Sequence, residues 1–140
     1  MAKEIIKDPQ IFITKEAREV FDNIKRSFTE FRQFDNKDFF ILAVMFGYEN
    51  GAKKPLKPAD TEKSGFARER YLSDTDNAVL KAIAVSEKND IEAISDIKTI
   101  YAIAEEYANG GVKYLKEFIF DNPASFVKKY AVMLSEIHGK

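Results

Sequence analysis

Eight consecutive apolar residues, Phe39-Phe40-Ile41-Leu42-Ala43-Val44-Met45-Phe46, constrain this chain more than any other feature. Asp35 and Asn36 before the run offer a helix cap, and Asn50-Gly51 after it offer a stop, with Gly51 suited to the left-handed C′ position. A helix without a polar face must be covered on most sides, so residues 37–49 belong either at the centre of the fold or at an oligomer interface. A chain of 140 residues is long enough to cover it unaided, since one domain of that size buries roughly two thirds of the surface its unfolded chain exposes. With 45% hydrophobic and 32% charged residues it has the balance of a folded globular protein. Twelve Phe, six Tyr and no Trp imply a core filled with phenyl rings, and five of the Phe fall between Phe28 and Phe40.

Around that central helix the periodicity predicts more helices. Thr14 is a good N-cap, Glu16 and Glu19 complement the dipole behind it, and Ala17, Val20, Phe21, Ile24, Phe28 and Phe31 make one stripe, so a helix is expected to run to about Arg32. Ser73 and Asp76 have capping-box spacing ahead of Val79, Leu80, Ile83 and Ala84, a helix to about Ser86. After Asn89-Asp90, a second stripe of Ile91, Ile94, Ile97, Tyr101, Ala104 and Ala108 is expected to end at Asn109-Gly110-Gly111. A further helix carries Val112, Leu115, Phe118 and Ile119, and a last one begins at Pro123 and buries Phe126, Tyr130, Met133, Leu134 and Ile137. Ahead of all these, residues 1–13 read as an N-terminal arm, with Gln10 to Thr14 as a short strand interrupted by Asp8-Pro9. The expected architecture is mainly α, a single domain over residues 1–140 of about six helices with one short N-terminal strand.

Several chemistries are excluded by residue type. No Cys means no disulfide, no thiolate nucleophile and no cysteine-ligated zinc or iron–sulfur site. One histidine, His138, stands third from the end and supplies neither a multi-His metal site nor a credible catalytic dyad. Asp74 and Asp76 with Glu62 and Glu69 resemble an acid/base or cation cluster, but Asp74 and Asp76 fall at a helix start, where carboxylates satisfy orphan backbone N–H groups. Glu105 and Glu106 are expected on the solvent side of their helix. Asn109-Gly110-Gly111 lacks the Lys and Ser/Thr of a phosphate-binding loop and reads as a helix C-cap. These absences imply a protein that is not an enzyme, with no cofactor and no metal. Met1 to Asp8 is charged and the longest apolar run is far too short to span a bilayer, so a cytoplasmic chain that contacts no membrane is expected.

Functional content is concentrated in residues 51–72, an irregular stretch punctuated by Gly51, Pro55, Pro58 and Gly65. It holds Lys53, Lys54, Lys57, Lys63, Arg68 and Arg70 against Asp60, Glu62 and Glu69, a local balance of +3. The residues before it sum to −1 and those after it to −3, within a total of −1. Lysines meet phosphates as point charges and arginines as a planar fork, so Lys53, Lys54, Lys57, Arg68 and Arg70 are candidate contacts for DNA or an acidic protein partner. Phe66 and Tyr71 among them are candidates for stacking on a base or anchoring a partner. The plain alternative is a solvated loop that balances acidic helices. Residues 10–50 also follow the strand-helix-helix order of ribbon-helix-helix DNA-binding dimers, although only Lys7 and Lys15 accompany the strand.

The segment from Phe39 to Leu56, with Gly47, Tyr48, Asn50, Gly51, Pro55 and Leu56 closing an apolar helix and opening a basic stretch, resembles small prokaryotic proteins encoded beside DNA-phosphorothioation (Dnd) modification and restriction genes. Residues 103–111, Ile-Ala-Glu-Glu-Tyr-Ala-Asn-Gly-Gly, extend the likeness over about 100 residues from Phe39 onward. The resemblance brings no catalytic residues. It implies an accessory role in a DNA-modification-linked defence system, through protein or DNA contacts. The reading that follows is a non-enzymatic interaction protein using loop 51–72; its rival is a self-assembling structural protein with helix 37–49 at an oligomer interface and no nucleic acid.

Overall fold

The computed structural model describes residues 9–89 and 96–121. In chain order these form strand β1 (Gln10–Ile11), helix α1 (Lys15–Ser27), a 3₁₀ turn (Thr29–Phe31), helix α2 (Asn36–Glu49), a 3₁₀ turn (Pro58–Asp60), strand β2 (Ala67–Arg68), a 3₁₀ turn (Glu69–Tyr71), helix α3 (Asp74–Lys88) and helix α4 (Ile97–Asp121). The fold is mainly helical with one small antiparallel sheet, and four α-helices lie among the described residues rather than six. No described helix is long and apolar enough to cross a membrane.

α2 lies at the centre, as its composition requires. Phe39, Phe40, Leu42, Ala43, Val44, Phe46 and Gly47 are buried, and the chief packing surface is α4. The two helices approach so closely that a Cβ on Gly111 would lie 2.5 Å from Gly47 N and closer still to Ala43 O, below the 3.0 Å that real contacts keep. Gly47 and Gly110 meet the same limit, against the backbone of Tyr107 and of Ala52. This explains one departure from the expected elements: Gly110 and Gly111 do not end a helix, and Ile97–Asp121 runs through them unbroken. The glycines are absent side chains at a backbone crossing, and burial along α2 outweighs their poor helix propensity. The proposed last helix from Pro123, with Ile91, Ile94 and His138, lies outside the described residues.

α1 begins as its cap predicts, with Thr14 Oγ1 accepting from Ala17 N–H at 3.1 Å. It ends at Ser27 instead of about Arg32, because Phe28 turns extended and the following 3₁₀ turn carries Phe31 inward. Phe31 and Phe34 meet edge to face at 4.8 Å, and Phe34 meets Phe39 at 5.0 Å. A continued helix would forfeit that ring cluster, whose burial is the larger gain. α3 opens on the expected capping box, Ser73 Oγ accepting from Asp76 N–H at 3.0 Å while Asp76 accepts from Ser73 N–H at 2.9 Å.

The N-terminal strand is present, and its partner is inside the chain. Gln10 pairs with Arg68 and Ile11 with Ala67, and a bridge joins Thr14 to Thr61. One edge of the arm is therefore occupied by β2 of the same chain.

Candidate functional site

Residues 51–72 are folded onto the body of the protein by their backbone. Glu62 N–H donates to Ile13 O at 2.9 Å, Phe66 N–H to Ile11 O at 2.7 Å and Glu69 N–H to Pro9 O at 3.0 Å. Farther back, Lys54 N–H donates to Glu106 O at 3.0 Å, and the Asn109 amide donates to Lys54 O and Pro55 O at 3.1 Å each. What composition reads as an irregular loop is a bracket held at both ends, with its orphan backbone groups satisfied by the arm and by α4.

That bracket separates the residues the sequence had grouped. Lys53 turns toward α3 and α4, where its ammonium pairs with Glu87 and lies 3.9 Å from Glu106. The bond that Lys53 donates to Glu87 raises the Lys53 pKa, and the same bond holds the Glu87 carboxyl below the usual range. Tyr107 donates to Glu87 at 2.7 Å, an arrangement that pushes its phenol up to about 12, and Tyr48 meets the Tyr107 ring edge on at 5.5 Å. Lys53 is thus an exposed residue whose ammonium is tied to α3 by an ion pair. Phe66 is a correction: it is only 4% exposed, packs on Phe21 at 5.5 Å and has the Arg18 guanidinium over its ring, so it cannot stack on a base. Among the paired carboxylates, Glu62 accepts from Arg18 at 3.0 Å and Asp76 caps α3. Glu105 departs from the expected solvent side: its carboxylate accepts from Phe12 N–H at 2.8 Å. Burial pushes Glu105 up to about 7, with the neighbouring Glu106 adding to the rise and the Phe12 bond opposing it. The arm that covers this face of α4 comes from the far end of the sequence, which is why helical periodicity alone misassigns it.

Lys54 and Lys57 are exposed on the bracket, while Arg68, Arg70 and Tyr71 stand at its end, with Tyr71 59% exposed and Arg70 over its ring at 5.2 Å. Arg68 and Tyr71 line an open pocket of about 440 Å³ together with Lys25, Asp35, Asn36 and Lys37. Lys25 and Lys37 were not among the residues the sequence pointed to. The first belongs to the last turn of α1 and the second to the first turn of α2, so neither lies in the basic segment, and only the turn through Phe34 brings them to β2. Lys25 Nζ donates to Phe34 O at 3.1 Å. Lys37 Nζ is 2.7 Å from Asp76 and 3.5 Å from Asp38; burial works against its charge, but those carboxylates outweigh it and hold its pKa above the ordinary value. The Asn36 amide donates to Phe66 O at 2.8 Å and ties the start of α2 to β2. The cavity is thus lined by three cationic side chains, Lys25, Lys37 and Arg68, and by the carboxylate of Asp35. No group of three or more His, Asp or Glu side chains is gathered for a metal ion among the described residues.

A family model described as DNA sulphur modification system-associated protein 4 matches residues 10–139. No curated protein and no solved structure matches the chain.

Proposed function

The chain belongs to the family of DNA sulphur modification system-associated protein 4, and from that membership together with its cationic face we propose a non-enzymatic accessory protein that contacts the DNA backbone through the end of segment 51–72. The observation that carries this reading is the convergence of Arg68 and Tyr71 with Lys25 and Lys37 on one open pocket. Arg68 and Arg70 supply forks that match phosphate oxygens, Lys54 and Lys57 add positive charge along the exposed segment, and Tyr71 supplies an aromatic surface. The self-assembly reading relied on a bare α2, and within this chain α2 is covered chiefly by α4.

The test is fluorescence anisotropy with a labelled duplex across a salt series. Wild type should bind with an affinity that falls as salt rises, and Arg68→Ala with Arg70→Ala should weaken it about tenfold or more while lowering the salt slope by about two. Lys53→Ala, which removes an ammonium already paired with Glu87, should weaken binding less than that double variant. Absence of wild-type binding at low salt would overturn the reading.

A further inference from the structure

We propose that the N-terminal arm, residues 9–14, is a proton-controlled latch, closed over α4 while the Glu105 carboxyl beneath it holds a proton and loosened when that carboxyl ionises. The latch sets how firmly the strand that carries Arg68 is held, and it operates whether or not that face contacts DNA.

The arm is fastened on two sides by bonds of different kinds. Toward segment 51–72 they run from backbone to backbone: β1 pairs with β2, Phe66 N–H donates to Ile11 O and Glu62 N–H donates to Ile13 O. Those bonds have no titrating partner. Toward α4 the Phe12 N–H donates to the Glu105 carboxylate at 2.8 Å, across 93 residues of sequence. The arm is thus clamped between a strand and an ionisable group, with Ile11 and Ile13 buried in the core. Lifting it breaks both fastenings together and returns Glu105 to water.

The charges around Glu105 do nothing to keep it ionised. Residues 9–14, Pro-Gln-Ile-Phe-Ile-Thr, contain no charged side chain. On α4 the next residue, Glu106, is of like sign and favours the protonated form of its neighbour. Segment 51–72 contributes Lys53, but that ammonium goes to Glu87 of α3 and to Glu106. Arg18 of α1 is paired with Glu62. A half-buried carboxylate with one N–H donor and, among the described residues, no cation against it is stabilised by whatever readmits water. The closed arm therefore favours the protonated form, so acid closes the latch and alkali loosens it. With the carboxyl at about 7 under the closed arm and at an ordinary 4.5 in water, the constant for opening rises between pH 4.5 and 7 by about 300-fold in all and is level above.

Amide hydrogen exchange on the full-length protein reads the opening, once each rate is divided by the intrinsic rate at that pH. From pH 5 to pH 8 the opening constants at Phe12, Glu62 and Phe66 should rise by about tenfold or more, and they should exceed that of Val44 inside α2. Glu105→Gln, which keeps an acceptor for Phe12 N–H, should hold the same three amides at one opening constant across this range. In the wild type the carboxyl carbon of Glu105 should titrate near pH 7, where the rise levels off, a readout that needs no variant. Opening constants that do not change with pH, an equal rise in Glu105→Gln, a Glu105 carboxyl that titrates at its ordinary value, or arm amides that open only together with Val44 would each overturn the proposal.

Discussion

Gly111→Ala tests the helix crossing directly. In an isolated helix the substitution would stabilise by about 1 kcal/mol, because alanine gives up less backbone entropy. Here the added methyl would lie 2.5 Å from Gly47 N, 2.9 Å from Gly47 Cα and closer still to Ala43 O. All three are backbone atoms of α2, so no flexible side chain can swing away. Relief requires α2 and α4 to separate, which loosens the buried packing of Ala43, Val44, Ala108 and Leu115 along the seam. Overpacking of this kind costs about 1–3 kcal/mol or more, and an unyielding backbone puts it at the upper end, so the net loss is about 2 kcal/mol. At this chain length that corresponds to a fall in Tm of roughly 4–8 °C. Urea unfolding followed by circular dichroism at 222 nm supplies the free energy independently. Gly51→Ala is the contrast, since Gly51 has φ +61° and nothing within 4 Å; its cost is conformational alone, and Gly51→Asn should recover most of it. A Gly111→Ala protein as stable as wild type or more so would refute the crossing and restore the glycines to a helix end.

Glu105 should make stability depend on pH. Its carboxyl, raised to about 7 in the fold against an ordinary 4.5, binds its proton more tightly when folded, so stability is greatest below 4.5, declines as pH rises from 4.5 to 7 and is level above. Glu105→Gln keeps an acceptor for Phe12 N–H and should flatten that decline, measured as denaturation midpoints at pH 5 and pH 8; an unchanged wild-type slope in the variant would refute it. Ser73→Ala removes one half of the α3 capping box and should cost about 1 kcal/mol in chemical unfolding. A loss below about 0.3 kcal/mol would mean that water replaces the cap.

The elements driven by local signals were legible in the sequence. The apolar run from Phe39 placed a central helix, Thr14 and Ser73 announced their caps, and Asp76 was correctly assigned to capping. Misreadings occurred where distant segments meet. Gly110 and Gly111 have the composition of a helix stop, and only the backbone of α2 explains why they sit within a helix. The basic segment was correctly singled out as structured differently from the helices, yet Phe66 and Lys53 were grouped with Arg68 and Tyr71 by proximity in the chain. Phe66 is turned inward by the pairing of its strand with the arm, and Lys53 is drawn toward α3 by Glu87, and neither leaves a periodic trace. Lys25 and Lys37 were invisible for the same reason.

The pairing of β1 with β2 also has a kinetic side. Gln10 and Arg68 stand roughly sixty residues apart, and closing a loop of that length is an entropic cost met before the two short strands return any hydrogen bond. Phe12 and Glu105 are 93 residues apart. Helices α1 to α4 can therefore assemble around their phenyl core first, with the arm closing over them afterwards and setting the backbone of Arg68. During synthesis the first strand emerges long before its partner, and a chain in which the two have not yet paired carries the charges of the cationic face without its shape.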